Sequence, residues 1–130
     1  MKCLDTDLLV AILRGKKDAY SQGIQLDIEG KEATTSINAF ELFVGANKSK
    51  RKTENVKDAL KLLGRLEVIP LDLSSSQRAG EIAAKLMVKG ETIDFRDAMV
   101  GGIALEKDLT LVTRNKSHFA RIKGLRVETW

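Results

Sequence analysis

The chain has 130 residues, of which 43% are hydrophobic and 31% charged, values that fit one globular domain and exclude a disordered chain. Its formal net charge of +4 permits a polyanionic partner without requiring one. The single cysteine, Cys3, excludes an intrachain disulfide, and Asp5 and Asp7 interrupt the N-terminal apolar run, unlike a signal peptide or membrane span. We therefore expect a cytoplasmic protein with one domain, residues 1–130.

Apolar periodicity and turn residues predict strands that alternate with helices. The predicted strands lie at 2–4, 32–36, 67–71, 109–113 and 125–129. The predicted helices lie at 8–13, closed by Gly15, at 19–28, closed by Gly30, at 37–46, ending near Gly45, at 53–66, at 74–90 with a serine cap, and within 92–106, followed by a helical turn at 115–122. The helix at 53–66 carries an apolar stripe of Val56, Ala59, Leu60 and Leu63. This alternation favours βαβ units and a mostly parallel sheet, with ligands beyond the carboxyl ends of its strands.

The first acid at such a strand end is Asp5, which directly follows the strand at 2–4. It should project into the crevice at the carboxyl edge of the sheet. The alternative role is an N-cap for the next helix, but Thr6 or Asp7 would cap that helix equally well. We therefore favour a functional role for Asp5.

Glu41 lies in the helix SINAFELFVGA, on the face that carries Ile37, Phe40 and Val44. If this face packs inward, the glutamate is costly to bury unless a cation meets it. The alternative is a rotated helix that buries Leu42 and Phe43 and leaves Glu41 in water. Both orientations remain open at the level of the sequence.

Asp94 and Asp97 stand three residues apart at the start of the helix within TIDFRDAMVGGIALE. Asp94 suits an N-cap, since its side chain can accept from the amides that follow. Asp97 lies one turn before Gly101, and the Gly101–Gly102 pair weakens a helix interior unless something approaches closely. We therefore expect Asp94 mainly to cap the helix and Asp97 to be a metal-binding carboxylate in a tight pocket.

Asn115 follows the strand at 109–113 and shares the crevice with Asp5 if the two strands are neighbours. Its amide oxygen would then hold a water beside a metal ion, although asparagine is also a common turn residue. Thr113 and Ser36 are hydroxyl candidates at the same sheet edge, with weaker claims.

Carboxylates that cluster without a cationic partner repel one another, and a divalent cation removes this conflict. All-oxygen ligation suits Mg²⁺ or Mn²⁺, whereas Cys3 and His118 are too isolated for a zinc site. Mg²⁺ retains waters, and activation of such a water suits attack on a phosphodiester. Two basic segments, 48–57 and 114–126, would grip phosphates, or they are merely solvated faces.

The segments CLDTDLLVAILRG, TTSINAFELFVGA and IDFRDAMVGGIALEKDLTLVTRNKSHFARIKGLRVETW, in this order, resemble a PIN domain of the VapC-type toxin ribonucleases. The resemblance implies a three-layer α/β/α sandwich with a short, mostly parallel sheet. It also implies a Mg²⁺- or Mn²⁺-dependent endoribonuclease that acts on RNA as a homodimer and is inhibited by a VapB-type antitoxin.

By position, the resemblance implies that Asp5, Glu41 and Asp97 are the catalytic acids and the metal ligands. The fourth acid of many members falls on Asn115, which leaves three charged ligands and loosens a second metal site. Asp94 is the candidate to compensate, and Glu41 or Asp94 would orient the attacking water.

Two other functions remain as alternatives. The domain could be a non-catalytic PIN-like module that binds RNA or a protein, its metal site impaired by Asn115. The motif LDTDLL also resembles a haloacid-dehalogenase-type phosphatase, with Asp5 phosphorylated and Asp7 as the acid. That family expects Thr or Val where this chain has Leu9, and the chain lacks a catalytic lysine in a matching context.

Overall fold

A computed structural model describes residues 1–17, 19 and 32–130. The helix predicted at 19–28 and its end at Gly30 fall, apart from residue 19, outside the described residues. The described strands are β1 (Lys2–Leu4), β2 (Glu32–Thr35), β3 (Glu67–Ile69), β4 (Thr110–Val112) and β5 (Arg126–Glu128). The described helices are α1 (Thr6–Leu13), α2 (Ser36–Lys48), α3 (Lys52–Leu63), α4 (Leu73–Val88), α5 (Phe95–Glu106) and α6 (Lys116–Phe119).

The five described strands form one sheet in the order β3-β2-β1-β4-β5, and every pair is parallel. Cys3 in the central strand is in register with Ala33 on one side and Leu111 on the other. The carboxyl ends of β2, β1 and β4 therefore meet at the middle of one sheet edge. This confirms the predicted parallel sheet and places Asp5 where a ligand crevice is expected.

Two hydrophobic clusters lie on the two faces of this sheet, because successive strand residues point to opposite sides. Cys3 and Leu111 belong to the cluster covered by α4 and α5. Leu4 and Val112, the next residue in each strand, belong to the cluster covered by α1, α2 and α3. The three-layer α/β/α sandwich is thus confirmed.

Several helix ends follow the sequence signals. Gly15 and Gly90 follow α1 and α4 with φ of 67° and 74°, in the left-handed region that closes helices at glycine. The cap of α4 differs from the prediction, since Asp72 and not the serine run begins the helix. The Asp72 carboxylate accepts from the Ser75 N–H at 2.9 Å, and Ser75 Oγ accepts from the Asp72 N–H at 2.9 Å. This reciprocal pair satisfies both amides at once.

Two helices deviate from the predicted pattern. α2 continues past Gly45 to Lys48. α3 buries Ala59, Leu62 and Leu63, whereas Leu60 is 57% exposed, so the predicted stripe was wrong at that position. Adjacent leucines allow two helix phases, and packing against α1 and α2 selects the one that buries Leu62. No described helix has the length and apolar character required to cross a bilayer.

Candidate active site

Asp5 is held directly beyond the end of β1, in the middle of the sheet edge. Its carboxylate is only 7% exposed and accepts two hydrogen bonds from side chains of neighbouring elements. Asn38 Nδ2 donates to Oδ1 at 2.9 Å, and Thr113 Oγ1 donates to Oδ2 at 2.6 Å. Asp5 also occupies the N-cap position of α1, but within the described residues its side chain makes no capping hydrogen bond. The capping alternative therefore does not account for this carboxylate.

The environment of Asp5 opposes its ionisation. Burial raises the pKa of Asp5 from 3.8 to about 6, and the negative charges of Asp7 and Asp97 act in the same direction. The hydrogen bond from Thr113 partly offsets these effects, because it stabilises the ionised form. A buried carboxylate with a raised pKa in a crevice is a group that a bound cation would stabilise.

Asn38 links three segments at this edge and was not singled out from the sequence. The side chain is fully buried, and its Nδ2 also donates to Thr6 Oγ1 at 2.9 Å. Its Oδ1 accepts from Thr35 Oγ1 at 2.7 Å, while the Thr35 hydroxyl accepts from the Asn38 N–H at 3.1 Å and so caps α2. The available signal was an asparagine one turn before Leu42 on the face that is actually buried.

Directly beyond β4, the side chain that contacts the Asp5 carboxylate is Thr113 and not Asn115. Besides its bond to Asp5, Thr113 Oγ1 lies 3.2 Å from Asp7 Oδ2 and accepts from the Asn115 N–H at 3.0 Å. β1 and β4 are neighbours, as the prediction for Asn115 required. The Asn115 side chain is exposed and makes no cap bond within the described residues. Ser36, the first residue of α2, contacts the segment after β3 instead, since its Oγ accepts from the Leu71 N–H at 3.3 Å.

Glu41 stands at the border between the buried and exposed faces of α2. Its side chain is 27% exposed, and its Oε1 accepts from Thr6 Oγ1 at 3.2 Å. Arg96 Nη1 approaches Oε2 at 3.6 Å and so joins α2 to α5 across the opening. Burial raises the pKa of Glu41, whereas the Thr6 hydrogen bond and the Arg96 charge oppose that rise.

The predicted packing face of α2 was wrong at two of its three apolar positions, since Ile37 alone packs against a core cluster. Phe40 is 59% and Val44 42% exposed, while Leu42 and Asn38 are buried. The helix is rotated towards the alternative orientation, yet Glu41 is half-buried and not left in water. Apolar residues surround nearly the whole helix, so periodicity alone could not select the buried face.

Asp94 caps α5, as predicted. Its Oδ1 accepts from the Arg96 N–H at 2.9 Å, and its Oδ2 accepts from Arg96 Nη2 at 2.8 Å. The hydrogen bonds from Arg96 lower the pKa of Asp94. Because Arg96 pairs with both Asp94 and Glu41, the prediction that the acids lack a cationic partner was wrong. The sequence carried a signal for this pair, since Arg96 follows Asp94 by two residues.

Asp97 lies one turn further along α5 and is half-buried. Burial raises the pKa of Asp97 and the charge of Asp94 adds to that rise, whereas the charge of His118 opposes it. His118 Nδ1 is 3.6 Å from Asp97 Oδ2. A second cation-forming side chain therefore reaches the acids from α6, a pairing that the sequence did not reveal because 21 positions separate the two residues.

The glycine pair in α5 serves helix packing and does not form a pocket around Asp97. A Cβ at Gly102 would lie 2.7 Å from the backbone oxygen of Ser75, in α4. A Cβ at Gly101 would lie 2.7 Å from Cδ1 of Ile122. Something does approach these glycines closely, as expected, but it is the neighbouring helix and the Ile122 side chain. The prediction that these glycines form a tight pocket around Asp97 was therefore wrong.

The three predicted ligands share one opening without forming a closed cage. The charge of Asp97 raises the pKa of both Asp5 and Glu41. Even so, no three His, Cys, Asp or Glu side chains of the described ranges stand close enough to hold a metal ion as they are placed. Three carboxylates offer the oxygen donors that Mg²⁺ and Mn²⁺ prefer, and buried Asp5 fits a cation. In this arrangement Glu41 lies beside Arg96, and Asp97 lies beside His118.

Comparisons with known proteins agree on one family. Residues 2–125 match the PIN domain family. The chain is 32% identical over 127 residues to the tRNA(fMet)-specific endonuclease VapC of Salmonella typhimurium, covering 98% of this chain and 96% of that protein. It is 33% identical over 128 residues to ribonuclease VapC2 of Rickettsia felis, with the same coverage of 98% and 96%.

Solved structures give the same result for the fold. The structure superposes with a TM-score of 0.90 on DNA-bound VapBC from Salmonella typhimurium, at 31% identity over 100% of this chain and 98% of that one. It superposes with a TM-score of 0.89 on VapBC2 from Rickettsia felis bound to a fragment of promoter DNA, at 32% identity over 99% and 98% of the two chains. The likeness therefore extends over almost the entire length of the chain.

Proposed function

The chain belongs to the PIN domain family, among its VapC-type toxin ribonucleases, and from that premise we propose that Asp5, Glu41 and Asp97 form a Mg²⁺- or Mn²⁺-dependent endoribonuclease site. The observation that carries this proposal is the Asp5 carboxylate. Asp5 is 7% exposed, and burial together with the charges of Asp7 and Asp97 raises its pKa to about 6. Arg96 pairs with Glu41 and His118 with Asp97, whereas Asp5 forms no salt bridge within the described residues, so a divalent ion would stabilise the Asp5 carboxylate most.

Each of these side chains has its own part in the proposed reaction. Asp5 is fixed by Asn38 and Thr113 and is the rigid ligand, whereas Glu41 and Asp97 complete the site by turning towards it. When bound, the divalent ion lowers the pKa of a water and offsets the charge that grows on the scissile phosphate. We assign the orientation of the attacking water to Glu41, because among the described residues its Oε1 accepts a hydrogen bond from the Thr6 hydroxyl alone, at 3.2 Å.

Arg96 and Asp94 support the site from the start of α5. Asp94 is engaged by the amide and the guanidinium of Arg96, so it is a cap and not a replacement for the missing fourth acid. Asn115 is exposed at the end of β4 and supplies a neutral amide oxygen where many relatives have a carboxylate. We propose that one strongly held ion suffices in this chain.

The partners follow from the family. The substrate is RNA, and the protein is the toxin of a toxin–antitoxin pair whose inhibitor is a VapB-type antitoxin, as in the VapBC complexes to which the structure is similar. A homodimer and a cytoplasmic location, where RNA substrates are abundant, belong to the same proposal.

One assay tests the proposal. The purified protein is incubated with a mixed RNA substrate in Mg²⁺, in Mn²⁺ and in EDTA, beside Asp5→Asn and Asp97→Asn. Cleavage should require the metal and should fall by at least about 100-fold in both variants, in line with the loss of a catalytic group. Asp108→Asn is the matched control, because Asp108 is exposed beyond the opposite end of α5 and should leave cleavage unchanged.

The alternatives predict different results. A non-catalytic module would bind RNA and be stabilised by Mn²⁺ without cutting. A phosphatase would turn over p-nitrophenyl phosphate and leave RNA intact. Cleavage that survives both EDTA and the two substitutions contradicts the metal-site proposal directly.

A further inference from the structure

A basic groove runs along one face of α4, on the side of the sheet that is covered by α4 and α5. It lies between α4 and the segment that follows α6, and its volume is about 140 Å³. Its charged lining consists of Arg78, Glu81, Lys85, Lys89, Arg121 and Lys123. Only Arg121 and Lys123 belong to the basic segments visible in the sequence. The fold brings Arg78 and Lys85 of α4, and Lys89 directly after its end, beside Arg121 and Lys123.

The charge of this groove is concentrated and largely unneutralised. Five cations face one carboxylate in the lining, a surplus equal to the formal net charge of +4 of the whole chain. Arg78 is paired with Glu106 at 3.0 Å. Lys85, Lys89 and Lys123 form no salt bridge with any residue of the described ranges. Such a cluster favours a polyanion.

Arg121 connects this groove to the acids. Its Nη1 donates to the Thr92 carbonyl, two residues before Asp94, and its Nε lies 3.3 Å from the His118 carbonyl. Arg121 also acts on Asp97 electrostatically. Burial raises the pKa of Asp97, and the positive charge of Arg121 is one of the influences that lower this pKa. One end of the groove therefore reaches the opening that contains Asp97.

The floor of the groove argues against an apolar ligand. Ile82, Leu86 and Ile122 in that floor are at most 9% exposed and belong to the hydrophobic core, and of the apolar side chains that line the groove Leu105 alone is partly exposed. An apolar peptide would find little surface to cover. A chain of phosphates, in contrast, would meet one cation after another along α4, because Lys85 and Lys89 are one helical turn apart.

We propose that the groove lined by Lys85, Lys89, Arg121 and Lys123 carries the phosphate backbone of the RNA substrate away from the cleavage site. The inference rests on the proposed function, since it names the path of the RNA on one side of that site. It assigns the affinity for RNA to this groove in preference to the basic segment at 48–57. Contacts to phosphates hold the strand without reading its sequence.

The test compares two variants of equal charge. The groove variant is Lys85→Gln/Lys89→Gln/Lys123→Gln, and the control is Lys48→Gln/Lys50→Gln/Lys52→Gln. Arg121 stays intact because it lies beside Asp97. Binding of a fluorescein-labelled single-stranded RNA is followed by anisotropy in EDTA between about 50 and 200 mM salt. Thermal unfolding of both variants verifies that each is folded.

The groove variant should make the negative slope of log K against log salt shallower by about 2, since each of the three lost phosphate contacts on a single strand contributes about −0.7 to that slope. The control should keep the wild-type slope. An equal loss in both variants, or an unchanged groove variant, overturns the proposal. A groove variant that keeps RNA binding but loses binding of poly-glutamate assigns the groove to an acidic protein, which also overturns it. Because the assay contains EDTA, its result is independent of whether the protein cleaves RNA.

Discussion

Asn38 Nδ2 lies 2.9 Å from Asp5 Oδ1, although the two residues are 33 positions apart in the sequence. This bond joins the first turn of α2 to the end of β1. The same nitrogen reaches Thr6 Oγ1, and the Thr6 hydroxyl in turn donates to Glu41. One buried amide therefore orients both Asp5 and, through Thr6, Glu41.

The first prediction concerns Asn38→Ala. The substitution removes one hydrogen bond each from Asp5 Oδ1, the Thr6 hydroxyl and the Thr35 hydroxyl, so the free energy of unfolding should fall by about 2 kcal/mol. Mn²⁺ affinity should fall as well, because Asp5 is no longer held in place. Denaturant unfolding and calorimetric titration measure the two effects. Asn47→Ala is the control, since Asn47 is exposed and its side chain donates to the Phe43 carbonyl of its own helix, and it should change stability by less than about 0.5 kcal/mol.

The second prediction concerns pH in EDTA. A carboxyl pKa raised from 3.8 to about 6 means that the folded protein binds the proton of Asp5 more tightly than the unfolded chain does. The stabilisation from protonated Asp5 is complete below about pH 4 and is lost as the pH rises through about 6. Burial also raises the pKa of Glu41 and of Asp97, so their contributions have the same sign.

Asp5→Asn isolates this effect, because an asparagine can accept from Asn38 and donate to Thr113, whose hydroxyl then turns to Asp7. In EDTA the variant should match wild type near pH 4 and exceed it at pH 7, by up to about 3 kcal/mol for a shift of about two pH units. Unfolding curves at both pH values supply the comparison. A variant that is less stable than wild type at pH 7 would contradict the raised pKa.

The third prediction concerns Arg96→Gln. Arg96 pairs with Glu41 at 3.6 Å and with Asp94 at 2.8 Å, so its charge occupies the opening that a divalent ion must enter. Removal of that charge should tighten Mn²⁺ binding about three- to tenfold at neutral pH, as measured by calorimetry. Arg51→Gln breaks an exposed pair with Glu54 on α3 and should leave the affinity unchanged. Weaker binding by Arg96→Gln would instead mean that Arg96 holds Glu41 in its ligating position.

The fourth prediction compares alanine substitutions at two glycines, Gly102 in α5 and Gly80 in α4. Gly102→Ala places a Cβ 2.7 Å from the Ser75 oxygen and 2.9 Å from the Ala79 nitrogen, both backbone atoms, so α4 and α5 must separate. Gly80→Ala meets no described atom within 4 Å. The first should lower the free energy of unfolding by about 1–3 kcal/mol, and the second should raise it by about 0.5–1 kcal/mol. Equal effects in thermal unfolding would contradict the assigned packing of α5.

The sheet and the position of Asp5 could be predicted because they depend on local signals. Alternating strands and helices fix a parallel sheet, and the residue after a central strand must lie at its carboxyl edge. The cap at Asp94 was likewise a short-range pattern. By contrast, the orientation of α2 depends on tertiary packing, since Phe40 and Val44 are as apolar as the residues that are buried.

Contacts between distant segments account for what the sequence did not reveal. Asn38 is a polar residue that becomes buried only because Asp5, Thr6 and Thr35 satisfy its hydrogen bonds. Gly101 and Gly102 suggested a close approach, but only the fold identifies α4 and Ile122 as what approaches. The pairing of His118 with Asp97 requires α6 to pack beside α5, which no local pattern indicates.

The central claim is that Asp5, Glu41 and Asp97 close around one divalent ion, and a crystal soaked in Mn²⁺ tests it most directly. We expect one anomalous peak within about 2.0–2.3 Å of carboxylate oxygens of Asp5 and Asp97, with Glu41 turned towards it and away from Arg96. Loss of that peak in Asp97→Asn would complete the result. A peak elsewhere on the protein, or none at saturating Mn²⁺, would contradict the account.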